Sequence, residues 1–207
     1  MSRPLLITDC DEVLLHMISH FSSWLNDEHE IALEITRPDF VDAFKRADGS
    51  VLAHGEIWPL FDSFFGTEMH RQTMIPHAGD ALAAIGEVAD IVVLTNLTED
   101  CRFRRIDQLA TLGVHHRVIC NQGGKGPPVK RLLAEYQPSV AVFVDDLAGH
   151  HRSVAEDAPE VWRVHMIGEP DVAAVVPAAP AAHVRIDDWR EAEGWILNRF
   201  ADGKHAA

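Results

Sequence analysis

Cysteine is scarce in this chain of 207 residues, and so are long hydrophobic runs. Cys10, Cys101 and Cys120 are too scattered for a disulfide framework or a zinc site, so we interpret them as reduced thiols. No apolar segment approaches the ~20 residues that span a bilayer, and Thr8 and Asp9 interrupt the first apolar run before a signal-peptide core could form. We therefore expect a cytoplasmic protein with no membrane partner.

Positive charge is also in short supply. The 18 Lys and Arg side chains face 32 Asp and Glu side chains, which gives a formal net charge of −14. Such a chain repels a nucleic-acid backbone unless its basic residues are strongly clustered, so no nucleic-acid polymer is expected as a partner. The longest basic grouping, Arg102 to Arg105, is interpreted as the solvated face of a helix.

Short runs rich in Val and Ile alternate with helical patterns along most of the chain. Continuous apolar strands are typical of a parallel sheet that is buried on both faces. The pattern predicts an α/β fold, a Rossmann-like parallel sheet flanked by helices. The strands are expected at residues 5–8, 91–94, 114–119, 140–144 and 161–167, and the helices at 79–88, 99–112, 128–136, 150–157 and from Asp187 or Asp188 onward.

One interval breaks this alternation. Residues 15–75 offer helical patterns at 18–30, 38–47 and 56–65 and no convincing buried strand, so they are expected to form an α-helical insertion. Eight of the fifteen aromatic residues fall there, enough to build a small core. The predicted organisation is an α/β core of residues 1–14 and 76–207 with an inserted segment of residues 15–75.

Polar side chains follow the predicted buried strands. Asp9 and Asp11 come directly after the first strand, Thr95 and Asn96 after the second, and the pair Asp145-Asp146 after a later one. Lys125 lies in the loop before a helix. The carboxyl ends of parallel strands meet at one edge of the sheet, which is where open α/β folds bind ligands.

In this order the residues resemble the motifs of the haloacid dehalogenase (HAD)-like hydrolases. That superfamily carries Asp-x-Asp-x-Thr/Val after strand one, Thr or Ser after strand two, then a Lys and an acidic pair. This chain has Asp9, Asp11 and Val13, then Thr95, Lys125 and Asp145-Asp146. The resemblance spans residues 5 to about 167. It implies a phosphatase with a small helical cap inserted after the first motif.

The resemblance also implies a division of roles. Asp9 is expected to be the nucleophile that forms an aspartyl-phosphate, and Asp11 the general acid and base. Thr95 is expected to bind a phosphoryl oxygen, with Asn96 beside it, while Lys125 offsets negative charge on nucleophile and phosphoryl group. Lys130 remains an alternative to Lys125, although its place inside a helix favours solvent.

Several carboxylates around an anionic substrate require a hard cation, and Mg²⁺ fits oxygen ligands of this kind. By resemblance its ligands are the Asp9 carboxylate, the Asp11 backbone carbonyl and Asp145, with Asp146 ligating directly or orienting the others. The loop Gly123-Gly124-Lys125-Gly126 is no nucleotide-binding P-loop, because Gly126 stands where Ser or Thr is needed. His150 and His151 follow the acidic pair and are interpreted as surface or supporting residues.

The predicted function is Mg²⁺-dependent hydrolysis of a small phosphometabolite, a nucleoside monophosphate or a phosphosugar, with the oligomeric state left open. A haloacid-type dehalogenase is one alternative, but dehalogenases of this kind lack the second aspartate, and Asp11 is present. Phosphoryl transfer between metabolites and a non-catalytic binding protein are the others. A second anionic group or a ring of the substrate could be bound by residues of the insertion, namely Arg37, Lys45, Arg46, Arg71, Trp58, Phe64 and Phe65.

Overall fold

A computed structural model describes residues 2–37, 40 and 42–206 of the protein. Its main sheet has six parallel strands in the order β5-β4-β1-β6-β7-β8. This confirms the predicted α/β class with a Rossmann-like parallel sheet. The strands are β1 (Leu5–Thr8), β4 (Asp90–Thr95), β5 (Arg117–Cys120), β6 (Ala141–Asp145), β7 (Trp162–His165) and β8 (Val184–Arg185).

Strand β1 lies at the centre of the sheet and is buried along its whole length. It pairs with β4 on one side and β6 on the other, with Leu5 opposite Asp90 and Ala141. Successive side chains of a strand point to opposite faces, and Leu6 joins one hydrophobic cluster while Ile7 joins another. Both faces of the sheet are therefore covered, as the unbroken apolar strands predict.

Helices supply the second layer on each face. On one face Ile85 of α3 and Trp189 of α8 pack against the sheet, and on the other Val129 of α5 and Val154 of α6 do so. The core helices are α3 (Ala78–Val88), α4 (Arg102–Thr111), α5 (Gly126–Tyr136), α6 (Ala148–Asp157), α7 (Pro170–Val175) and α8 (Trp189–Asp202), with a 3₁₀ turn at Glu99–Cys101 before α4. Asp188 caps α8 by accepting hydrogen bonds from the backbone of Arg190 and Glu191.

The segment between β1 and α3, called the insert below, is less helical than the sequence suggests. It contains α1 (Ile18–His29), α2 (His54–Thr67), a 3₁₀ turn (Met69–Arg71) and an antiparallel hairpin of β2 (Ile31–Leu33) with β3 (Phe44–Arg46). Residues 44–46 were expected inside a helix at 38–47, of which residues 38, 39 and 41 lie outside the described part. The chain instead reverses at Asp48-Gly49, where Gly49 has φ 82°, and Phe44 is buried in the hairpin.

The insert has a hydrophobic cluster of its own. Phe21 is fully buried at its centre, with ring centroids 4.3 Å from Phe61, 5.2 Å from Phe64 and 5.9 Å from Trp24. The aromatic residues therefore build a small core, as expected. The predicted domain boundaries, at residues 15 and 75, stay a prediction.

The segment after β7 holds structure that the sequence analysis missed. Residues 168–182 were expected to be a loop, yet they include α7, and β8 follows as the edge strand beside β7. Both elements are too short to show a clear hydrophobic period, and the prolines around them are typical of a loop. Among the helices that the structure describes, none combines the length and apolarity needed to cross a membrane.

Candidate active site

The polar residues predicted from the strand ends do meet at the carboxyl edge of the sheet. Asp9 follows β1 directly, Thr95 is the last residue of β4, and Asp145 is the last residue of β6. Lys125 is the N-cap residue of α5 and reaches the same place. The central strands β1, β4 and β6 are neighbours in the sheet, so their ends converge without any long-range adjustment of the backbone.

The centre of the site is a buried cation between two carboxylates. Lys125 Nζ lies 2.8 Å from Asp9 Oδ2 and 2.6 Å from Asp145 Oδ2, and the Lys125 and Asp145 side chains are fully buried. Burial alone would lower the pKa of Lys125, but the charges of Asp145 and Asp9 raise it, so the ammonium stays protonated. Burial raises the pKa of Asp9, against the opposing effect of Lys125. Lys130, by contrast, is exposed.

A set of carboxylates fits a hard cation. Oxygen atoms of Asp9, Asp145 and Asp146 lie within 4.8 Å of one another. Burial, reinforced by the charges of Asp145 and Asp9, raises the pKa of Asp146 well above its usual value. A cation bound among these oxygens would remove that unfavourable interaction, so the donor set suits Mg²⁺. The Asp11 carboxylate is not part of this set, and the backbone carbonyl of Asp11 as a ligand stays a prediction.

The side chain of Asp11 is held by two residues that the sequence analysis did not assign to the site. Arg105 Nη2 donates to both carboxylate oxygens at 2.9 and 3.0 Å, and Gln72 Nε2 donates to Oδ1 at 2.7 Å. Arg105 Nη1 also contacts the sulfur of the buried Cys10 at 3.1 Å. The interpretation of Arg102 to Arg105 as a solvated face is thus wrong for Arg105, which is fully buried because α4 turns it toward Asp11.

Thr95 and Asn96 occupy the adjacent part of the edge. The Thr95 hydroxyl is buried and has no hydrogen-bond partner within the described residues. An unsatisfied buried hydroxyl costs about 1–3 kcal/mol, and a phosphoryl oxygen would satisfy it. Asn96 is exposed; its Nδ2 donates to the Gly123 carbonyl at 2.9 Å, and its Oδ1 accepts from Asn121 Nδ2 at 3.0 Å. These bonds fix the loop that precedes Lys125.

Two histidines form hydrogen bonds with the backbone carbonyls of the acidic pair. His151 Nε2 lies 2.9 Å from the Asp145 carbonyl, and His165 Nε2 lies 2.7 Å from the Asp146 carbonyl. A carbonyl can only accept, so both rings carry their proton on Nε2. Burial lowers the pKa of His151 to about 3 and also lowers that of His165, which keeps both rings neutral. The supporting role expected for the His150-His151 pair fits His151.

The insert residues considered for substrate contact are mostly engaged within the insert. Phe64 is fully buried in its aromatic cluster, whereas Trp58 is more than half exposed. Each of the four candidate cations pairs with an insert carboxylate, namely Arg37 with Asp42, Lys45 with Glu34, Arg46 with Glu56 and Arg71 with Glu68. None of these pairs extends to the acidic site.

Glu12, inside the first motif, has a feature that the sequence alone gives no sign of. Its backbone adopts φ 60°, a left-handed conformation that favours glycine, and its side chain is buried. Its Oε1 accepts hydrogen bonds from the backbone N–H groups of Met17 and Ile18, at 2.8 and 2.6 Å. Burial raises the pKa of the Glu12 carboxyl to about 7.

Solved structures share this architecture over almost the whole chain. The haloacid dehalogenase-like family hydrolase SP0104 from Streptococcus pneumoniae superposes with a TM-score of 0.64 at 12% identity, covering 93% of this chain and 97% of that one. The magnesium-bound HAD-hydrolase YfnB from Bacillus subtilis gives 0.64 at 14%, covering 96% and 100%. A phospho-aspartyl intermediate analogue of phosphoserine phosphatase gives 0.52 at 13%, covering 94% and 99%.

No protein-family model matches the sequence, and no curated protein matches it either. The structural likeness nevertheless covers the core and the insert together. The chain therefore has the fold of the HAD-like hydrolases.

Proposed function

We propose that the protein is a Mg²⁺-dependent phosphomonoester hydrolase that works through an aspartyl-phosphate on Asp9. The observation that carries the proposal is the buried arrangement of Lys125 between Asp9 and Asp145, with Asp146 beside them. Burying two carboxylates and one ammonium beside a third, half-buried carboxylate is costly unless each charge is used or compensated. In the proposed site each charged group has a use, because one carboxylate is the nucleophile, the ammonium is its counter-cation, and the carboxylates together hold the metal.

The chemistry follows from the positions of these groups. An Asp9 carboxylate oxygen attacks phosphorus, and the bond to the ester oxygen breaks while Asp11 gives a proton to the departing alcohol. Water then attacks phosphorus, Asp11 takes its proton, and the bond to Asp9 breaks to release inorganic phosphate. Lys125 holds the Asp9 carboxylate in place and offsets the charge of the phosphoryl group, whose oxygen accepts from Thr95.

Asp9, Asp145, Asp146 and the Asp11 carbonyl would hold the Mg²⁺. When bound, the ion supplies positive charge that offsets repulsion between the carboxylates and the phosphate and polarises the phosphoryl oxygens. The magnesium-bound structure of YfnB and the phospho-aspartyl analogue of phosphoserine phosphatase, which share the fold, support both parts of the proposal.

We further propose that the insert acts as a cap over the acidic site and that the substrate is a small phosphorylated metabolite. The insert is joined to the chain at both ends beside the site, because Asp11 precedes it and Gln72 contacts Asp11 from its far end. Lys45 and Arg46 pair with carboxylates of the insert, so they favour neither of the two substrate classes, a phosphosugar or a nucleoside monophosphate.

Release of phosphate tests this function directly. Wild type, Asp9→Asn and the control Asp171→Asn, which alters an exposed residue of α7, are incubated with 4-nitrophenyl phosphate with Mg²⁺ or with EDTA. We expect turnover by wild type and control only with Mg²⁺, and none by Asp9→Asn. Metal-independent turnover, or full activity of Asp9→Asn, would contradict the proposal. Halide release from a haloacid by the wild type would point instead to the dehalogenase alternative.

A further inference from the structure

Apolar side chains lie next to Thr95, where the insert meets the carboxyl edge of the sheet. Cys120, the last residue of β5, is the register partner of Thr95, and the two side chains point to the same face of the sheet. Cys120 packs in an apolar cluster that joins the core to the insert. This set, called the junction cluster below, consists of Met69, Leu97, Cys101, Phe65 and Cys120.

Two members of the junction cluster are partly exposed, whereas the other three are buried. One is Cys120, beside Thr95, and the other is Phe65, from α2 of the insert. Cζ of Arg105 lies 5.8 Å from the centroid of the Phe65 ring, and Arg105 is the residue that donates to both carboxylate oxygens of Asp11. The accessible apolar surface therefore lies between the proposed phosphoryl donor and the proposed proton donor.

This surface is placed where the alcohol part of a substrate would lie. In the proposed reaction Asp11 gives its proton to the ester oxygen, so the alcohol part begins within hydrogen-bond distance of Asp11. Thr95 donates to a phosphoryl oxygen on the other side of the same phosphorus. An alcohol part that extends from this position toward the insert meets Phe65 and Cys120 first.

The positive charges around the junction cluster are already engaged. On α4, Arg102 pairs with Glu99 and Arg104 donates to the Gly66 carbonyl, while the third arginine of that helix is the one bonded to Asp11. The Lys and Arg side chains of the insert pair with carboxylates of the insert. Among the described residues, neither α4 nor the insert therefore offers an unpaired Lys or Arg to a second anionic group of a substrate.

Helix α2 continues the apolar surface away from the site. The ring centroid of Phe61 lies 6.5 Å from that of Phe65, and the ring centroid of Trp58 lies 5.9 Å from that of Phe61. Their spacing puts the three residues on one face of the helix, over a length of about 10 Å. Trp58 is 58% exposed at the far end. A substrate ring that extends beyond Phe65 would still meet aromatic side chains.

We propose that Phe65 and Cys120 are specificity-determining residues and that the substrate is a phosphomonoester whose alcohol part carries an apolar, uncharged ring. The inference rests on the proposed phosphatase function and deepens it by naming the substrate class. It favours a ring-bearing ester over a phosphosugar, because the hydroxyl groups of a sugar would lose hydrogen bonds to water against the junction cluster.

The test compares two esters that both release a primary alcohol. 2-Phenylethyl phosphate carries an apolar ring and glucose 6-phosphate a polar one, while both leaving groups need the proton from Asp11. The quantity measured is the ratio of kcat/KM for 2-phenylethyl phosphate to kcat/KM for glucose 6-phosphate. Wild type should give a ratio of roughly ten or more, since burial of a ring is favourable and burial of unpaired hydroxyls is not. A preference for glucose 6-phosphate would overturn the inference.

Phe65→Ala should lower this ratio by roughly tenfold, because the ring contact with the substrate is lost. Phe65→Leu keeps an apolar side chain and should give an intermediate ratio. If Phe65 only covers Arg105, its loss disturbs Asp11 and slows both esters equally, so the ratio stays unchanged. Phe103→Ala is the matched control, since this phenylalanine of α4 is 67% exposed and outside the junction cluster, and it should leave the ratio unchanged.

Protection of Cys120 gives a readout apart from activity. Cys10 and Cys101 are buried, so Cys120 is the accessible thiol for iodoacetamide, and mass spectrometry follows its alkylation. Burial raises the pKa of Cys120 to about 11, so the reaction is run in alkaline buffer. With Mg²⁺ present, 2-phenylethylphosphonate should slow the alkylation, whereas methylphosphonate, which has no ring, should not.

The possible outcomes separate the substrate class from the phosphatase function. An unchanged ratio in Phe65→Ala overturns the substrate class and leaves the phosphatase function standing. If Phe65→Ala fails to fold, Phe65→Leu and the protection of Cys120 decide, and equal alkylation rates with the two phosphonates overturn the inference. A wild type that cleaves 4-nitrophenyl phosphate but neither alkyl ester overturns the substrate class alone. A wild type that cleaves none of the three overturns both proposals.

Discussion

Lys125 and Asp9 form an ion pair of 2.8 Å in which the lysine is fully buried and shared with Asp145 at 2.6 Å. The lysine is the only cation that these two carboxylates contact among the ion pairs of the described residues. It therefore serves both the stability of the site and the proposed reaction. Because Lys125 is buried against Asp9 whereas Lys130 is exposed, substitution of each lysine tests which of them is the lysine of the site.

Lys125→Met should abolish most of the activity and weaken the fold. Loss of a preorganised charge at a phosphoryl site lowers kcat by roughly 10²–10³. Removal of one partner of a buried ion pair lowers the free energy of unfolding by about 3–5 kcal/mol in the absence of metal. Lys130→Met, the exposed control, should change neither quantity. Steady-state kinetics and urea unfolding measure both; equal effects of the two substitutions would exclude the assigned role of Lys125.

Thr95→Val should separate activity from stability. The substitution removes a buried hydroxyl that has no partner within the described residues, so the free energy of unfolding should rise by about 1 kcal/mol. Activity should fall by roughly 10-fold or more, because a donor to the phosphoryl group is lost. Thr8→Val is the control for stability: the Thr8 hydroxyl donates to the Asp9 carbonyl at 3.0 Å, and its loss should destabilise. A less stable Thr95→Val would mean that the hydroxyl is already satisfied.

Mg²⁺ affinity should weaken as the pH falls. Burial, then the charges of Asp145 and Asp9, raise the pKa of Asp146 in the metal-free protein, so protons compete with the cation for this carboxylate. Calorimetric titration at a series of pH values should show tighter binding at the higher pH. Asp146→Asn should bind Mg²⁺ roughly tenfold or more weakly, with a smaller pH dependence. An unchanged affinity in Asp146→Asn would place the cation elsewhere.

Acid should destabilise the metal-free fold through His151. Its pKa is lowered by burial from 6.5 to about 3, so below 6.5 the unfolded chain binds a proton that the folded protein excludes. The stability that neutral His151 contributes is present above pH 6.5 and is lost on acidification, at up to about 1.4 kcal/mol per pH unit. His151→Gln, which can still donate to the Asp145 carbonyl, should flatten this slope in urea unfolding, and the exposed control His205→Gln should not.

The sheet and the acidic edge could be predicted because local signals specify them. The strand with Val92, Val93 and Leu94 is an unbroken apolar run, which is typical of a parallel sheet covered on both faces. Asp9 follows β1 directly and Asp145 is the last residue of β6, so the topology alone brings them together. The sequence separation of 136 residues between them did not matter, because each position is defined relative to its own strand.

What the sequence could not predict depends on contacts between distant segments. Arg105 resembles any arginine on a polar helix face, and only the packing of α4 against the catalytic loop buries it on Asp11. Gln72 carries no motif at all. The hairpin of β2 and β3 was missed because three-residue strands are too short to show a period of two, and Phe44 is buried only through the insert's own core.

The most direct test of the central claim is to trap the phosphorylated enzyme. The protein is mixed with 4-nitrophenyl phosphate, whose leaving group needs little help from a proton donor, and Mg²⁺, quenched in acid within a single turnover, and digested for mass spectrometry. Asp11→Asn is included because it should still be phosphorylated by this ester while the attack of water is slowed. The proposed mechanism predicts one phosphoryl group on the peptide that contains Asp9, and none in Asp9→Asn. Release of phosphate with no phosphorylated enzyme at any time, or a phosphoryl group on a different residue, would contradict it.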